Sequence, residues 1–195
     1  MVLDANDREV IEACQQGDYD AFGALFEAYK DHVYSIALRF SGDPSTAMDI
    51  AQETFLKLFS RIKDFRGDAS FDSWLYRLVV NSCLDHHRRG RRLVPFLEGL
   101  VHVFRAPDAS ALQEMLRAEM QNHVQQVIGK LPPDLRIVVV LRYTEGLPYE
   151  EIAQILGCPP GTVASRLNRA HKLLEPRLST YRDTRIYSGP GGIRA

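Results

Sequence analysis

Hydroxyl, guanidinium and ammonium side chains recur at helical spacing near the C-terminal end of this chain. Ser165, Arg169 and Lys172 stand at i, i+4 and i+7, a spacing that places them on one face of a helix. Thr162 and Arg166 flank that face. An arginine can hydrogen-bond a guanine edge through two donors or hold a phosphate group. The pattern therefore predicts a surface that binds nucleic acid.

Two short helices and a tight turn position this face, over residues 149–174. Gly157 and the pair Pro159-Pro160 end the first helix and set the turn, and Thr162 is expected to cap the second helix. The second helix has an apolar stripe opposite its polar face, made of Val163, Leu167, Ala170 and Leu174. This layout is typical of a helix-turn-helix whose second helix enters a DNA major groove. An ordinary helical hairpin with a solvated basic face shares the same pattern.

A second polar face lies earlier in the chain, on a long helix that Ser70 is expected to begin. Arg77, Asn81 and Arg88 stand at i, i+4 and i+11, opposite the predicted core side. Residues 77–92 contain five arginines and one acid, a local net charge of +4. A side-chain amide can hydrogen-bond the Watson–Crick edge of an exposed base, and guanidinium groups hold phosphates. This face predicts contact with single-stranded nucleic acid.

Aromatic residues surround the start of the same helix. Phe65, Arg66 and Tyr76 are expected to be free to face a ligand, so that rings can stack on bases beside the arginines. Phe71 and Trp74 fall on the apolar stripe, where aromatic side chains are more typical of a protein core. The nucleic-acid surface is therefore assigned to the first group alone.

The preceding helix carries an unusual outward face. Asp49, Gln52, Glu53 and Leu56 are expected to point outward, with Phe59 at the border. A single exposed leucine is common and needs no explanation. A leucine framed by acids and an amide, beside an aromatic ring, also fits a protein-binding patch. Both interpretations remain open on these residues.

The composition is that of an ordinary globular protein. The 195 residues carry a formal net charge of −1, with 45% apolar and 25% charged residues. Affinity for nucleic acid must therefore come from local patches. No apolar run approaches the length of a membrane span, and the N-terminus has no apolar signal core. No membrane insertion and a cytoplasmic location are expected.

The sequence lacks the arrangements that metal or covalent chemistry needs. Cys14, Cys83 and Cys158 are far apart with no CxxC pair, and His86 and His87, as helix neighbours, point in different directions. We expect neither a metal site nor a cofactor. An enzyme is not expected either, because no nucleophile–base arrangement or glycine-rich phosphate loop is present.

Apolar periodicity is helical almost throughout, and it predicts an all-α protein of two small helical domains joined by a flexible linker. The first domain is expected over residues 5–92, and the second, with the helix-turn-helix, over 111–178. Residues 93–110 form the linker, whose apolar content is high, and residues 179–195 form a mobile tail.

Three blocks of sequence, taken in order, resemble one known family. They are DIAQETFLKLF, then FRGDASFDSWLYRLVVNSCLDHHRR, then LPPDLRIVVVLRYTEGLPYEEIAQILGCPPGTVASRLNRAHKLL. Together they resemble the extracytoplasmic-function class of bacterial sigma factors, the small two-domain specificity subunits of RNA polymerase. The resemblance covers about residues 20–178 and is far more specific than a lone helix-turn-helix.

The resemblance implies a role for each face of the first domain. Asp49, Gln52, Glu53 and Leu56 would bind the coiled-coil clamp of the polymerase's largest subunit. Residues 65–89 would recognise and melt the minus-ten promoter element and capture a flipped base of the non-template strand. In that segment Asn81 matches a base-contacting position, and the other surface residues are Phe65, Arg66, Tyr76, Arg77 and Arg88, the last two as phosphate contacts.

The resemblance also implies a role for the second domain. Its helix-turn-helix would recognise the minus-thirty-five element as duplex, through Ser165, Arg166 and Arg169, with Thr162 and Lys172 nearby. The linker would thread toward the active-site and RNA-exit region of the polymerase. Many members of the family are held inactive by an anti-sigma protein that covers their polymerase-binding faces. The implied partners are core RNA polymerase, promoter DNA and an anti-sigma protein.

One alternative function is a stand-alone helix-turn-helix transcriptional regulator that binds duplex DNA as a dimer. It would bind an operator tightly without polymerase, and it leaves the features of the first domain unexplained. The two hypotheses differ in whether polymerase is needed for promoter recognition.

Overall fold

A computed structural model of the protein describes residues 5–93 and 111–179, and the side chains of residues 8–90 and 120–179. Within these ranges the chain is helical and has no β-strand, so the all-α prediction is confirmed. The helices are α1 (Ala5–Gln16), α2 (Tyr19–Ser41), α3 (Pro44–Arg61), a 3₁₀ turn (Ile62–Asp64), α4 (Phe71–Leu93), α5 (Ala111–Gly129), α6 (Pro133–Tyr143), α7 (Tyr149–Leu156) and α8 (Pro160–Leu178). The expectations for the linker and the tail fall, apart from residues 93 and 179, outside the described residues.

Helix α2 is the central helix of the N-terminal domain. The Asp18 carboxylate caps its first turn, because it accepts the backbone N–H of Asp20 at 2.8 Å and that of Ala21 at 3.1 Å. Gly42 ends the helix in the left-handed region at φ 76°, and its N–H donates to the carbonyl of Leu38 at 2.8 Å. Apolar residues at helical spacing bury one face along its length, at Leu25, Tyr29, Val33, Ile36, Ala37 and Phe40.

Helices α3 and α4 pack on α2 and complete the core of this domain. The Ser70 hydroxyl accepts the N–H of Ser73 at 3.2 Å, so α4 begins after Ser70 as predicted. Phe71 is fully buried, as expected for a core residue. Trp74 is half-buried and packs at the edge of the same cluster. This packing fixes which face of α4 remains for a ligand.

Helix α6 is the centre of the C-terminal domain. Every residue from Leu135 to Leu141 is buried, including the β-branched run of Val138, Val139 and Val140, which is helical. One residue of this run, Arg136, is charged and is only 8% exposed. A buried charge must be paired or hydrogen-bonded to be tolerated, so Arg136 requires partners inside the protein.

Helices α7 and α8 form the predicted helix-turn-helix. Gly157 ends α7 at φ 61°, a left-handed conformation that favours glycine. Thr162 is not the cap of α8, because the helix begins at Pro160 and the Thr162 N–H donates to the carbonyl of Pro159 at 2.9 Å. Proline suits a first helical position, since its φ is already helical and it has no N–H to satisfy. The apolar stripe of α8 is buried as predicted, at Val163, Leu167, Ala170 and Leu174.

The two domains also pack against each other. Helix α4 contacts α6 and α7, and α2 contacts α5 and α6. Hydrophobic periodicity could not predict this contact, because polar side chains provide much of it and periodicity marks such faces as solvated. None of the described helices is long and apolar enough to span a lipid bilayer.

Candidate nucleic-acid interface and protein-docking groove

The polar face of α8 is open to solvent. Ser165, Arg169 and Lys172 are all exposed, on the side opposite the buried stripe. The Ser165 hydroxyl donates to the carbonyl of Thr162 at 2.9 Å, which holds that side chain near the start of the helix. The exposed start of a second helix in a helix-turn-helix is the part that contacts base edges in known complexes.

Arg166 stands at the border of this face. Its side chain is 29% exposed, and its Nε lies 3.9 Å from Oδ2 of Asp134 on α6. An ion pair of this length at a partly exposed site contributes little to stability. Arg166 can therefore exchange this carboxylate for a phosphate at small cost, whereas Arg169 is free to approach a base edge.

The face of α4 that carries arginine and asparagine is exposed too. Arg77, Asn81 and Arg88 are all open to solvent, on the side away from the buried core stripe. Arg88 is held along the helix by the Leu84 carbonyl, at 3.3 Å from its Nε, and by an Asp85 carboxylate oxygen at 3.1 Å. The structure thus brings an amide between two guanidinium groups on one accessible helix face.

The loop before α4 contacts both α4 and α1. The Phe65 ring is half-buried, packing edge-on against Phe71 at 5.4 Å and beside Trp74 at 5.5 Å. From α1, the Gln15 amide donates to the Phe65 carbonyl at 2.8 Å. Arg66 is exposed, whereas the Phe65 ring belongs partly to the core cluster. A small depression of about 410 Å³ lies between α1 and this loop.

Tyr76 is not accessible in this arrangement of the domains. Its side chain is 9% exposed, and its hydroxyl donates to Oε2 of Glu145, in the loop before α7, at 3.3 Å. The expectation that its ring faces a ligand therefore requires the two domains to separate. Sequence alone gave no sign of this contact, because Glu145 lies 69 residues away in a loop.

An apolar groove of about 780 Å³ runs between α2 and α3. The Leu56 side chain is 70% exposed in its wall, and Phe59 beside it is 46% exposed. Phe22 and Phe26 have the helical spacing of the buried residues of α2, yet they line this groove. An exposed apolar groove on a protein of this size is typical of a docking surface. Its rim is polar, with Lys30, Asp31 and Gln52.

Glu53 does not share the outward orientation of Leu56. Its carboxylate is half-buried between α3 and α4, with Lys57 Nζ at 2.7 Å and the Arg89 guanidinium as a second partner. Burial alone would raise the pKa of the Glu53 carboxyl, but hydrogen bonds from these two cations outweigh it and lower the pKa. Lys57 also lies 3.2 Å from an Asp85 oxygen, so these side chains clamp α3 to α4. Asp49 and Gln52 are exposed.

The described side chains contain no cluster of histidine, cysteine and carboxylate groups able to hold a metal ion. Cys14 and Cys83 are buried, and burial raises the pKa of the Cys83 thiol to about 12. Burial also raises the pKa of the Cys14 thiol, so burial disfavours the reactive thiolate at both cysteines.

Two segments of the chain match known families. Residues 25–93 match Sigma-70 region 2, and residues 121–174 match Sigma-70, region 4. The first segment includes the groove lining apart from Phe22 and the exposed face of α4, and the second includes the helix-turn-helix.

Relatives that align over nearly their full length are also named as sigma factors. RNA polymerase sigma-H factor of Pseudomonas aeruginosa is 38% identical in an alignment of 188 positions that covers 91% of this chain and 96% of that protein. ECF RNA polymerase sigma-E factor of Escherichia coli K12 is 36% identical over 88% of this chain and 94% of that protein. The corresponding sigma-E factor of Haemophilus influenzae is 34% identical, with 91% and 98% covered.

Solved structures share the fold. CnrH, solved in complex with the cytosolic domain of CnrY, aligns with a TM-score of 0.63 at 26% identity, over 89% of this chain and 97% of that one. The sigma factor RpoE of Bartonella quintana, solved with the anti-sigma factor NepR, aligns with a TM-score of 0.62 at 22% identity, over 81% and 96%. With both sigma-70 regions present in order and relatives matched along nearly their full length, the chain belongs to the extracytoplasmic-function class of RNA polymerase sigma factors.

Proposed function

We propose that this protein binds core RNA polymerase and directs transcription initiation at promoters through separate minus-ten and minus-thirty-five contacts. One observation carries the proposal: a single chain presents an exposed Arg–Asn–Arg face on α4, an exposed polar face on α8 and an apolar groove on a third surface. Such a protein acts by positioning DNA on the polymerase in the cytoplasm, and not by catalysis.

The α8 face is assigned to duplex DNA at the minus-thirty-five element. Ser165 and Arg169 stand where a major-groove helix contacts base edges, and Arg166 can exchange its weak carboxylate partner for a phosphate. Thr162 and Lys172 extend the face at its two ends. This face is small and the chain has a net charge of −1, so binding to DNA without polymerase should be weak and sensitive to salt.

The α4 face is assigned to the melted minus-ten element. Asn81 would contact an unstacked base while Arg77 and Arg88 hold the backbone on either side, and Phe65 and Arg66 belong to the loop that precedes α4. Extruding a base costs a few kcal/mol, which contacts to that base must offset. Polymerase holds both DNA-binding faces at a fixed separation, which raises the effective concentration of each for its element.

The groove between α2 and α3 is assigned to the coiled-coil clamp of the polymerase. A coiled coil presents apolar side chains with charged ones beside them, and this pattern suits the apolar groove with its polar rim. Leu56 and Gln52 line this groove and Asp49 is exposed on the same helix, whereas Glu53 pairs with Arg89 and so joins α3 to α4. An anti-sigma protein that binds the same groove would block polymerase, and we propose one as a regulator.

Transcription with purified core polymerase tests the function directly. We expect promoter-specific transcripts only when this protein is added, because core polymerase alone does not select promoters. A dimeric regulator would instead bind an operator tightly on its own and produce no initiation. Operator binding without initiation would therefore exclude the sigma-factor proposal.

Replacing Arg169 by alanine should weaken use of the upstream element. If the guanidinium contacts a base edge, the loss should be about 1–3 kcal/mol, and the base preference at one position should relax. Competition between promoters that differ only in the minus-thirty-five element measures both the loss and the base preference. Lys172→Ala is the matched control, since loss of a phosphate contact should weaken all sequences alike. An unchanged preference in Arg169→Ala contradicts the assignment.

Replacing Asn81 by alanine should impair promoter melting while core polymerase is still bound. The side chain is exposed, so the fold does not depend on it, and loss of a base contact should cost about 1–3 kcal/mol. Permanganate footprinting of unpaired thymines reports melting, and co-migration with core polymerase reports binding. A pre-melted promoter bubble should restore most of the activity. Loss of polymerase binding would mean that this face is misassigned.

A further inference from the structure

One side chain of α1 is hydrogen-bonded to the start of the loop that precedes α4. The Gln15 amide donates to the carbonyl of Phe65 at 2.8 Å and to the carbonyl of Ile62 at 3.0 Å. A side-chain amide has two N–H donors, so one group satisfies both carbonyls. Because both partners are acceptors, the nitrogen of the amide must face the loop. Gln15 therefore joins α1 to the loop at the first loop residue.

Helix α1 gives Gln15 a firm support. Ile11 and Cys14 are buried in the core of the N-terminal domain, where α1 packs against α2 and the 3₁₀ turn. Gln15 follows Cys14 directly, and its own side chain is half-buried. Partial burial reduces the competition of water for the two hydrogen bonds. The position of the amide is thus set by the core and not by the loop.

The hydrogen bond to Phe65 orients a whole peptide group. The carbonyl of Phe65 belongs to the peptide group that joins Phe65 to Arg66, and such a group is planar. Holding its oxygen therefore sets the direction of the backbone N–H of Arg66 as well. The N–H of Phe65 is also held, since it donates to the carbonyl of Ile62 at 3.2 Å. The backbone on both sides of Phe65 is fixed where the chain enters the loop.

Helix α4 holds the other end of the loop. The Ser70 hydroxyl accepts the N–H of Ser73 at 3.2 Å, and the Ser70 carbonyl accepts the N–H of Trp74 at 3.1 Å. Gly67, at φ 78°, turns the chain between the two ends. Gln15 and Arg66 both line the depression of about 410 Å³ between α1 and the loop. Of the two anchors, the one at Gln15 is nearer to Arg66 in the chain.

We propose that Gln15 is a positioning residue for recognition of the minus-ten element. Its amide holds Phe65 and Arg66 in the direction in which they meet the melted strand, without itself contacting a base. The inference rests on the proposed function, because only that function makes this loop a DNA-binding segment. Gln15 lies before residue 25, where the match to Sigma-70 region 2 begins. The part of the chain that recognises the minus-ten element therefore includes α1.

Loss of the amide should change base preference as well as stability. Without its two hydrogen bonds the loop can follow several paths, and in only some of them do Phe65 and Arg66 meet a base correctly. Preference should therefore fall at the bases that the loop contacts and persist at the base that Asn81 contacts. A residue that only stabilised the fold would lower the amount of folded protein and leave the preference of the folded molecules unchanged.

Selection of single-stranded DNA by the holoenzyme tests this inference. The protein is assembled with core RNA polymerase and mixed with non-template strands whose minus-ten element is randomised. Gln15→Met has a side chain of similar length and no donor. It should lower the preference for the favoured base roughly tenfold at one or two positions, as expected for the loss of one or two neutral hydrogen bonds. Wild-type preference at every position in Gln15→Met would overturn the inference.

Further variants separate the donors of Gln15 from its shape and charge. Gln15→Lys keeps donors and should recover most of the preference, whereas Gln15→Glu has the same shape but presents only acceptors and should behave like Gln15→Met. Gln16→Met is the matched control, because Gln16 is the exposed neighbour on α1. Equal losses in Gln15→Met and Gln16→Met, or wild-type preference in Gln15→Glu, would reject the role of the amide.

The readout tolerates a loss of stability. A ratio between two bound oligonucleotides does not depend on the fraction of active protein, and circular dichroism checks the fold of each variant. If Gln15→Met did not fold, the comparison of Gln15→Lys with Gln15→Glu would decide.

The wild-type selection separates this inference from the proposed function. A wild-type holoenzyme without any base preference would refute minus-ten recognition by this chain and, with it, the role of Gln15. A clear wild-type preference that Gln15→Met retains would refute the role of Gln15 alone.

Discussion

Replacing Leu56 by aspartate should strongly weaken binding of core RNA polymerase and leave the protein folded. Leu56 is 70% exposed in the wall of the α2–α3 groove, so its removal costs the free protein little. In the complex, a carboxylate would replace an apolar side chain at the centre of a buried contact. Truncation or charging of such a central residue typically costs about 2–4 kcal/mol, roughly 30- to 1,000-fold in Kd.

Fluorescence anisotropy with purified core polymerase measures the loss, and thermal unfolding checks that the variant remains folded. Ala28→Asp is the matched control, since Ala28 is exposed on α2 but does not line the groove. Wild-type affinity in Leu56→Asp, with normal folding, would show that polymerase docks elsewhere. The same variant should also escape an anti-sigma protein that uses this groove.

Replacing Arg136 by alanine should destabilise the protein more than any exposed substitution considered above. The guanidinium donates to the carbonyls of Phe40 and Leu131, at 2.9 and 3.0 Å, and also to the carbonyl of Gly129. Its loss would leave several buried carbonyl groups without a donor and open a space in the core. Each such group costs about 1–3 kcal/mol, so a total of at least about 3 kcal/mol is expected for three carbonyls.

Urea unfolding followed by circular dichroism measures this change. Arg136→Lys should recover only part of the stability, because an ammonium group cannot reach several carbonyls in different directions while packing flat on a ring. Arg169→Ala is the control, since Arg169 is exposed and its loss should change the free energy of unfolding by about 0.5 kcal/mol or less. If Arg136→Ala changed the free energy of unfolding as little as Arg169→Ala does, the structural role of Arg136 would be contradicted.

Local periodicity was sufficient to predict the helices and their buried sides. The stripe from Val163 to Leu174 and the core position of Phe71 follow from repeats of three and four residues, which any amphipathic helix shows. Arg169, Asn81 and Leu56 were predicted as exposed on the same basis. The start of α8 was placed wrongly, because Pro160 can begin a helix without a side-chain cap and Thr162 resembled one.

Side chains at the border of a stripe were harder to assign. Glu53 has the spacing of an outward residue, yet Lys57 and Arg89 hold it between two helices. Phe22 and Phe26 have core spacing but line the groove, because among the described helices only α2 and α3 contribute to its lining. Spacing gives the direction of a side chain from its own helix, whereas neighbouring helices decide whether that direction leads to solvent.

The sequence by itself determined the all-α class, the helix-turn-helix and the exposed polar faces of α4 and α8, because each depends on the spacing of residues along one helix or two adjacent helices. Only the tertiary structure decided that Tyr76 is covered by Glu145 and that Arg136 caps a helix of the other domain. These partners lie 69 and 96 residues apart. Sequence periodicity does not reveal polar contacts over such separations. The same polar side chain can donate to a distant residue in the core or to water at the surface.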